Sequence, residues 1–186
     1  MSGGGLASCL KTPLALSLSK GRTGSSQDRR HRGRQAKDSD RPRTEGNDLA
    51  NTASPSEIAL TRSAYAAMLD HARAGTPREV CGLLLGTAGH ILEARPAANL
   101  HPAPATHFEL DPAALIAAYR AARGGGAQVL GHYHSHPAGP ARPSATDQSA
   151  AAQDGRIWAI IADGELALWR DGAGGFEPLC YRMTSG

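Results

Sequence analysis

The fourteen residues from His134 to Asp147 constrain the local backbone more tightly than any other stretch of this chain. His134-Ser135-His136-Pro137 is followed, seven positions after His136, by Pro143-Ser144-Ala145-Thr146-Asp147. Side chains two residues apart leave the same face of an extended segment, so one strand can present both imidazoles. Ala127 to His134 reads as that strand, and Pro137 ends it because proline has no ladder donor. Three prolines and a glycine between Pro137 and Pro143 turn the chain back. A helix then opens at Ser144 and is expected to run to about Asp154, with Asp147 in its first turn, where the helix dipole favours a carboxylate.

Two imidazoles and a carboxylate brought together in this way form a three-ligand zinc set. Zinc takes imidazole nitrogen at about 2.0 to 2.1 Å and carboxylate oxygen at about 2.0 to 2.2 Å, and catalytic sites keep a fourth position open. Each piece also has a plain structural reading. Ser144-x-x-Asp147 matches a helix capping box, and a histidine pair is an ordinary occupant of a strand end. The conjunction at fixed spacing favours the metal. His132 would share the face of His134 and His136, and only the spacing to Pro137 and Ser144-x-x-Asp147 selects the second and third histidines as ligands.

These residues resemble the JAMM (MPN+) metalloproteases, whose signature is an upstream glutamate, then His-x-His-Pro and Ser-x-x-Asp. The upstream phrase is Pro77-Arg78-Glu79-Val80-Cys81-Gly82-Leu83-Leu84-Leu85-Gly86, similar to that of compact bacterial members. Asn99 and Phe108-Glu109-Leu110-Asp111-Pro112 agree as well, and the resemblance extends from about Ile58 to Met183. It implies His134, His136 and Asp147 as zinc ligands, Glu79 as general base, and Ser144 as a donor to the tetrahedral oxyanion. Asn99 and His132 are the candidate substrate contacts, with His132 otherwise a packed imidazole beside the ligands. His107 is a further, lesser candidate for touching substrate. Cys81 shares the strand face of Glu79. Its readings are a small buried hydrophobe, favoured for a free cysteine, or an inhibitory ligand or redox sensor.

Charge divides the chain. Residues 1–56 contain no Phe, Trp or Tyr and hold ten Lys/Arg against five Asp/Glu, whereas residues 57–186 hold ten Arg, no Lys and twelve Asp/Glu. The overall charge of +3 therefore belongs to the N-terminal extension. That extension is expected to be disordered, since it has too little apolar surface to offset ordering entropy. Parts of it resemble translated repetitive DNA, so a mis-assigned start is a live reading. Arg29, Arg30, Arg32 and Arg34 would neutralise phosphates, but without aromatic interleaving nucleic acid is not the expected partner. No stretch approaches the roughly 20 apolar residues of a membrane span. Cys9, Cys81 and Cys180 are scattered and odd in number, which predicts no disulfide framework and a cytoplasmic setting.

Residues 57–186 are expected to form one α/β (α+β) domain, a mixed sheet sandwiched by helices, with the JAMM/MPN, cytidine-deaminase-like architecture that the resemblance implies. Strands are predicted at Ile58–Thr61, Val80–Leu85 and Ile91–Arg95, and a hairpin joins Ile157–Ala162 to Glu165–Trp169 across Asp163-Gly164. Ser63 is read as the cap of a helix over Ala64–Ala74, and Asp111 as the cap of a helix running to about Arg123, with Pro112 at its first position. The compact bacterial members act on small β-grasp, ubiquitin-like sulfur-carrier proteins ending in Gly-Gly and release cysteine or another small amine. The expected function is that zinc-dependent (iso)peptidase activity, with a homodimer left open. The alternatives are a non-catalytic MPN scaffold, which the intact motif argues against, and a phage-tail or cell-wall peptidase, which would normally bring a second domain.

Overall fold

The structure, a computed structural model, describes residues 57–185 and the backbone of a two-residue strand, β1 (Ala7–Ser8). The remainder of the N-terminal extension lies outside the described residues, and with it the expectations of disorder, of a mis-assigned start and of a phosphate-binding arginine cluster. The elements that follow are β2 (Ile58–Thr61), α1 (Arg62–Gly75), β3 (Cys81–Thr87), β4 (His90–Ala97), α2 (Pro112–Arg123) and β5 (Gln128–Ser135). After these come α3 (Ala145–Ala150), β6 (Ile157–Ala162), β7 (Glu165–Gly172), β8 (Gly175–Leu179) and β9 (Tyr181–Thr184). The strands form one mixed sheet in the order β1-β9-β2-β4-β3-β5-β6-β7-β8. β3 lies antiparallel between β4 and β5, while β5 and β6 run parallel, so the chain must cross over between them. The crossover carries α3.

Alternation along the strands divides the core into two layers. Leu84 and Tyr133 face α1, where they pack with Leu60, Met68, Ile91 and Ile161. Leu83 and Leu85 point the other way, onto Ala118 of α2 and its neighbours Leu115 and Val129. His132 and His134 flank Tyr133 in β5 and therefore emerge on the α2 side. Two glycines permit this pairing. A Cβ at Gly82 would strike the Tyr133 ring and the Arg95 carbonyl, and one at Gly131 would strike the Ile157 backbone.

Four local expectations need correction. Helix α1 is capped by Thr61, whose hydroxyl accepts from the Ala64 N–H, and not by Ser63. Helix α3 stops at Ala150, well before Asp154. The N–H groups of Ala152 and Gln153 donate instead to Asp171 Oδ2, at 2.9 Å each, and Gln153 turns to φ 55°. Strands β8 and β9 extend the sheet beyond the anticipated hairpin. Cys180 is disulfide-bonded, whereas Cys81 is a free, buried thiol. The other caps follow the sequence. Asp111 accepts from the Ala113 N–H with Pro112 next to it, and Asp163 and Gly164 both take positive φ in the β6–β7 turn. Among the described residues no helix is long and apolar enough to cross a membrane.

Met68 is fully buried between α1 and the sheet. Met68→Ala should cost about 2 to 4 kcal/mol of unfolding free energy, as large-to-small core substitutions do. Ile116→Ala, at a half-exposed position, should stay within about 0.5 kcal/mol. Denaturant titration of both variants checks the layer assignment.

Candidate metal centre

The site forms where β5 ends. Ser135, between the two histidines, points to the opposite side, and its hydroxyl accepts from the Val80 N–H at 3.0 Å while its own N–H donates to the Val80 carbonyl at 3.0 Å. This reciprocal pair fastens the start of β3 to the end of β5, which places Glu79 beside the histidines. His136 lies one residue past the strand, and its N–H donates to the Ile161 carbonyl of β6 at 2.8 Å. The Pro137–Pro143 return is tied down by Trp169, whose indole N–H donates to the Ala141 carbonyl.

The ligand atoms converge. His134 Nε2 and His136 Nε2 are 2.9 Å apart, His134 Nε2 lies 3.3 Å from Asp147 Oδ1, and His136 Nε2 lies 3.3 Å from Asp147 Oδ2. Ligand atoms at about 2.0 to 2.1 Å from one tetrahedral ion sit about 3.3 Å from each other, so a cluster whose ligand atoms lie within 4.8 Å of one another, with Asp147 meeting the two histidines through its two oxygens, is compatible with zinc. Zinc also suits the donor set, two neutral imidazoles and a carboxylate. His136 Nδ1 is 2.9 Å from the Pro140 carbonyl, which holds the ring with its Nε2 lone pair directed inward. His134 Nδ1 is buried and finds no hydrogen-bond partner among the described residues. Its ring is held by stacking on Phe108, with centroids 4.4 Å apart and planes 18° from parallel.

Asp147 serves two purposes. It forms a capping box with Ser144, whose N–H and hydroxyl both donate to Asp147 Oδ2 at 2.7 Å while the Asp147 N–H donates back to Ser144 Oγ. Oδ1 is left facing the His134 ring. The capping and metal readings of Ser144-x-x-Asp147 are therefore one arrangement, since the cap aims the carboxylate. Burial works against the charge on Asp147, but hydrogen bonds from His134 and His136, the His134 charge and the Ser144 hydroxyl hold its carboxyl well below the usual range. Burial pushes the His134 pKa down, with Asp147 opposing. Burial also opposes charging of His136, yet Asp147 and the Pro140 carbonyl prevail and raise it.

Glu79 lines the same cavity and is only 9% exposed. Burial raises its pKa to about 7, with His136 pulling down and Asp147 pushing up. Asn99 holds the backbone here. Its amide donates to the Glu79 and His107 carbonyls, at 2.9 and 3.0 Å, and its oxygen accepts from the His101 and Glu109 N–H groups, at 3.0 Å each. All of these bonds go to main chain, so Asn99 positions Glu79 and the 101–109 loop. His107 stacks on His101 at 4.7 Å and lines the cavity mouth.

His132 stands apart from the ligand cluster, which consists of His134, His136 and Asp147. Its ring lies 4.1 Å from that of Trp158, centroid to centroid, and burial, with the His134 charge, lowers its pKa to about 3. Cys81 is fully buried, and its thiol is pushed up to about 11 by burial and by Glu79. Such a thiol is a poor ligand or redox sensor. Sequence reasoning did not anticipate three contributions, the Pro140 carbonyl, the Phe108 stack and Asp171. Only Phe108 left a trace, as part of a recognised phrase.

Two cavities meet at the cluster, one of about 480 Å³ and one of about 700 Å³, sharing Glu79, Thr106, His136, Ser144 and Thr146. A buried carboxylate with a raised pKa beside a three-ligand metal set, at the junction of two clefts, is equipped for metal-assisted hydrolysis.

Residues 61–171 match the family described as prokaryotic homologues of the JAB domain. The chain is 36% identical over 118 residues to a desampylase of Haloferax volcanii, covering 60% of this chain and 85% of that protein. It is 33% identical over 122 residues to the CysO-cysteine peptidase of Mycobacterium tuberculosis, covering 61% of this chain and 83% of that one. A Desulfitobacterium hafniense protein of known solution structure superimposes with a TM-score of 0.62 at 33% identity, covering 69% of this chain and 94% of that one. With the fold, the metal cluster and these likenesses in agreement, the chain belongs to the prokaryotic JAB-domain family, the bacterial and archaeal branch of the JAMM/MPN fold.

Proposed function

We propose that this protein is a zinc-dependent (iso)peptidase that hydrolyses the bond after the C-terminal Gly-Gly of a small ubiquitin-like sulfur-carrier protein, releasing cysteine or another small amine. The observation that carries the chemistry is the convergence of His134, His136 and Asp147 at ligand spacing, with Glu79 on the same cavity. The substrate class is supported by relatives named for it, a CysO-cysteine peptidase and a probable TtuB-protein conjugate cleaving protease of Thermus thermophilus.

In this reading His134, His136 and Asp147 hold the metal, which when bound acidifies water and polarises the scissile carbonyl. Glu79 takes the proton of the attacking water and delivers it to the departing amine. Burial, which raises the Glu79 carboxyl above the usual carboxylate range in the metal-free protein, favours that task by making the group a better proton acceptor. Ser144 turns its hydroxyl from Asp147 Oδ2 to the carbonyl oxygen as negative charge develops there. The Ser144 N–H keeps its bond to Oδ2 meanwhile, so Asp147 stays in place. Asn99 prevents Glu79 from drifting. The carrier's Gly-Gly tail lies extended, gripped through its main chain, and the missing side chains let the scissile carbonyl come close.

Incubation of the zinc-loaded protein with a carrier-cysteine adduct, followed by mass spectrometry, should show the free carrier and cysteine. Glu79→Gln should retain zinc and lose at least about a hundred-fold in rate, the lower range for general acid/base catalysis. A carrier ending in Gly-Val should resist cleavage. Undiminished turnover by metal-loaded Glu79→Gln would remove Glu79 from the mechanism, and equal cutting of Gly-Val would make this a general peptidase.

Glu79 also sets a pH dependence in the metal-free protein. Its pKa rises from 4.5 to about 7 on folding, so between these values the folded state holds a proton that the unfolded chain has released. Stability conferred by the neutral carboxyl is complete below about 4.5 and is lost as pH rises through about 7. The loss attributable to Glu79 is on the order of 3 kcal/mol. Denaturation of chelator-treated wild type and Glu79→Gln across this range should show a steeper fall for wild type, and parallel curves would contradict the assignment.

A further inference from the structure

The two cavities that meet at the metal cluster differ in what they can accept. The larger runs along the exposed return, past Ala138, Pro140 and Arg142. A polypeptide tail can lie there and continue into a bulky carrier. The smaller passes beneath α2, between Leu115, Val129 and Trp158, and reaches the fully buried Asp171. Its volume of about 480 Å³ falls in the range of about 300 to 1,000 Å³ typical of small-molecule sites.

Asp171 is the unusual group of this arm. Oδ2 accepts the two N–H groups that end α3, but Oδ1 is buried without a hydrogen-bond partner among the described residues. A buried acceptor left unmatched is costly, and a charged donor is the partner it rewards most. Asp154 and Arg156, also lining this arm, bond to each other at 2.6 Å, and Arg156 lies over the Tyr119 ring. Their charges offset one another, and Asp171 makes no ion pair among the described residues. Leu83, Leu110, Leu115, Val129 and Trp158 form the apolar part of the arm's walls, beside His132 and Thr146. A cavity with a broad apolar wall, lined also by a buried carboxylate whose Oδ1 lacks a partner, complements an unbranched aliphatic chain with a cationic tip.

We propose that the inner arm is the leaving-group subsite and that Asp171 Oδ1 selects amines bearing a second cationic group at the far end of an aliphatic chain, lysine and α,ω-diamines being the class. This rests on the peptidase reading above, because it assigns the acyl side to the outer cleft and the departing amine to the inner one. Asp171 is a specificity residue and takes no part in bond cleavage.

Binding and turnover test it separately. Calorimetric titration of the zinc-loaded full chain with pentane-, hexane- and octane-α,ω-diamines, against the matching monoamines, should show a diamine preference of about ten- to a hundred-fold, the scale of one charged hydrogen bond. Lysine should exceed norleucine in the same way. Asp171→Asn keeps a carbonyl oxygen for the Ala152 and Gln153 N–H groups but turns an amide donor toward the cation, so the ratio should fall to near one. Equal binding of diamine and monoamine by wild type overturns the proposal, a result that does not depend on any variant folding. An unchanged ratio in a folded Asp171→Asn protein overturns it too. Carrier-lysine and carrier-norleucine adducts, cut in parallel, should repeat the preference. Diamine selectivity without cleavage of either adduct would uphold the subsite and reject the carrier-peptidase reading. Cleavage of both adducts at equal rates, without diamine selectivity, would do the reverse.

Discussion

The site depends on the reciprocal hydrogen bonding of Ser135 and Val80 across the ends of β5 and β3. One bond is main chain to main chain and the other uses a hydroxyl on the face opposite the ligand side chains, so together they fix the backbone without occupying the site. Because Ser135 separates the two histidines and Val80 follows Glu79, one strand pairing sets the distance between the histidines and Glu79, the general base of the proposed mechanism. Gly82 and Gly131 allow the neighbouring strands to close around it. Asn99 completes the frame by holding the Glu79 carbonyl from the loop side.

Electrostatics follow from this frame. Burial drives the Glu79 carboxyl toward its neutral form and the His134 ring toward its neutral form. Asp147, 3.3 Å from His134 Nε2, is kept charged by its histidine and serine partners. One site of the metal-free protein thus holds two carboxyl groups with pKa values pushed apart, the pattern the proposed mechanism needs of a ligand and a proton carrier. The capping box contributes here as well as to the helix. A six-residue helix is too short to be stable by itself, and the interactions at its two ends, Ser144 at one and Asp171 at the other, hold it against the sheet.

The parts of this arrangement legible in the sequence are those governed by local rules. Period-two spacing placed His134 and His136 on one face, Pro137 marked the strand end, and Asp111-Pro112 and Asp163-Gly164 announced a cap and a turn. The expectation of α3 running to Asp154 was wrong because the local pattern cannot reveal a distant acceptor. Asp171 is seventeen positions beyond Asp154 in the sequence, yet it captures the N–H groups that would have extended the helix. The roles of Pro140 and Asn99 were hidden for a related reason, since Pro140 acts through its carbonyl and the Asn99 side chain bonds only to main-chain groups, which carry no residue signature. Strands β8 and β9 bear few strongly alternating apolar positions, and their place is decided by pairing with β7 and β2.

The central claim is that one ion is held by His134, His136 and Asp147, with His132 and Cys81 excluded. X-ray absorption at the zinc edge tests it most directly. The account predicts four light ligands at about 2.0 to 2.1 Å, with multiple scattering from two imidazoles. A third imidazole would bring His132 into the shell, and sulfur at about 2.3 Å would bring in Cys81. Either result would contradict the assignment of ligands.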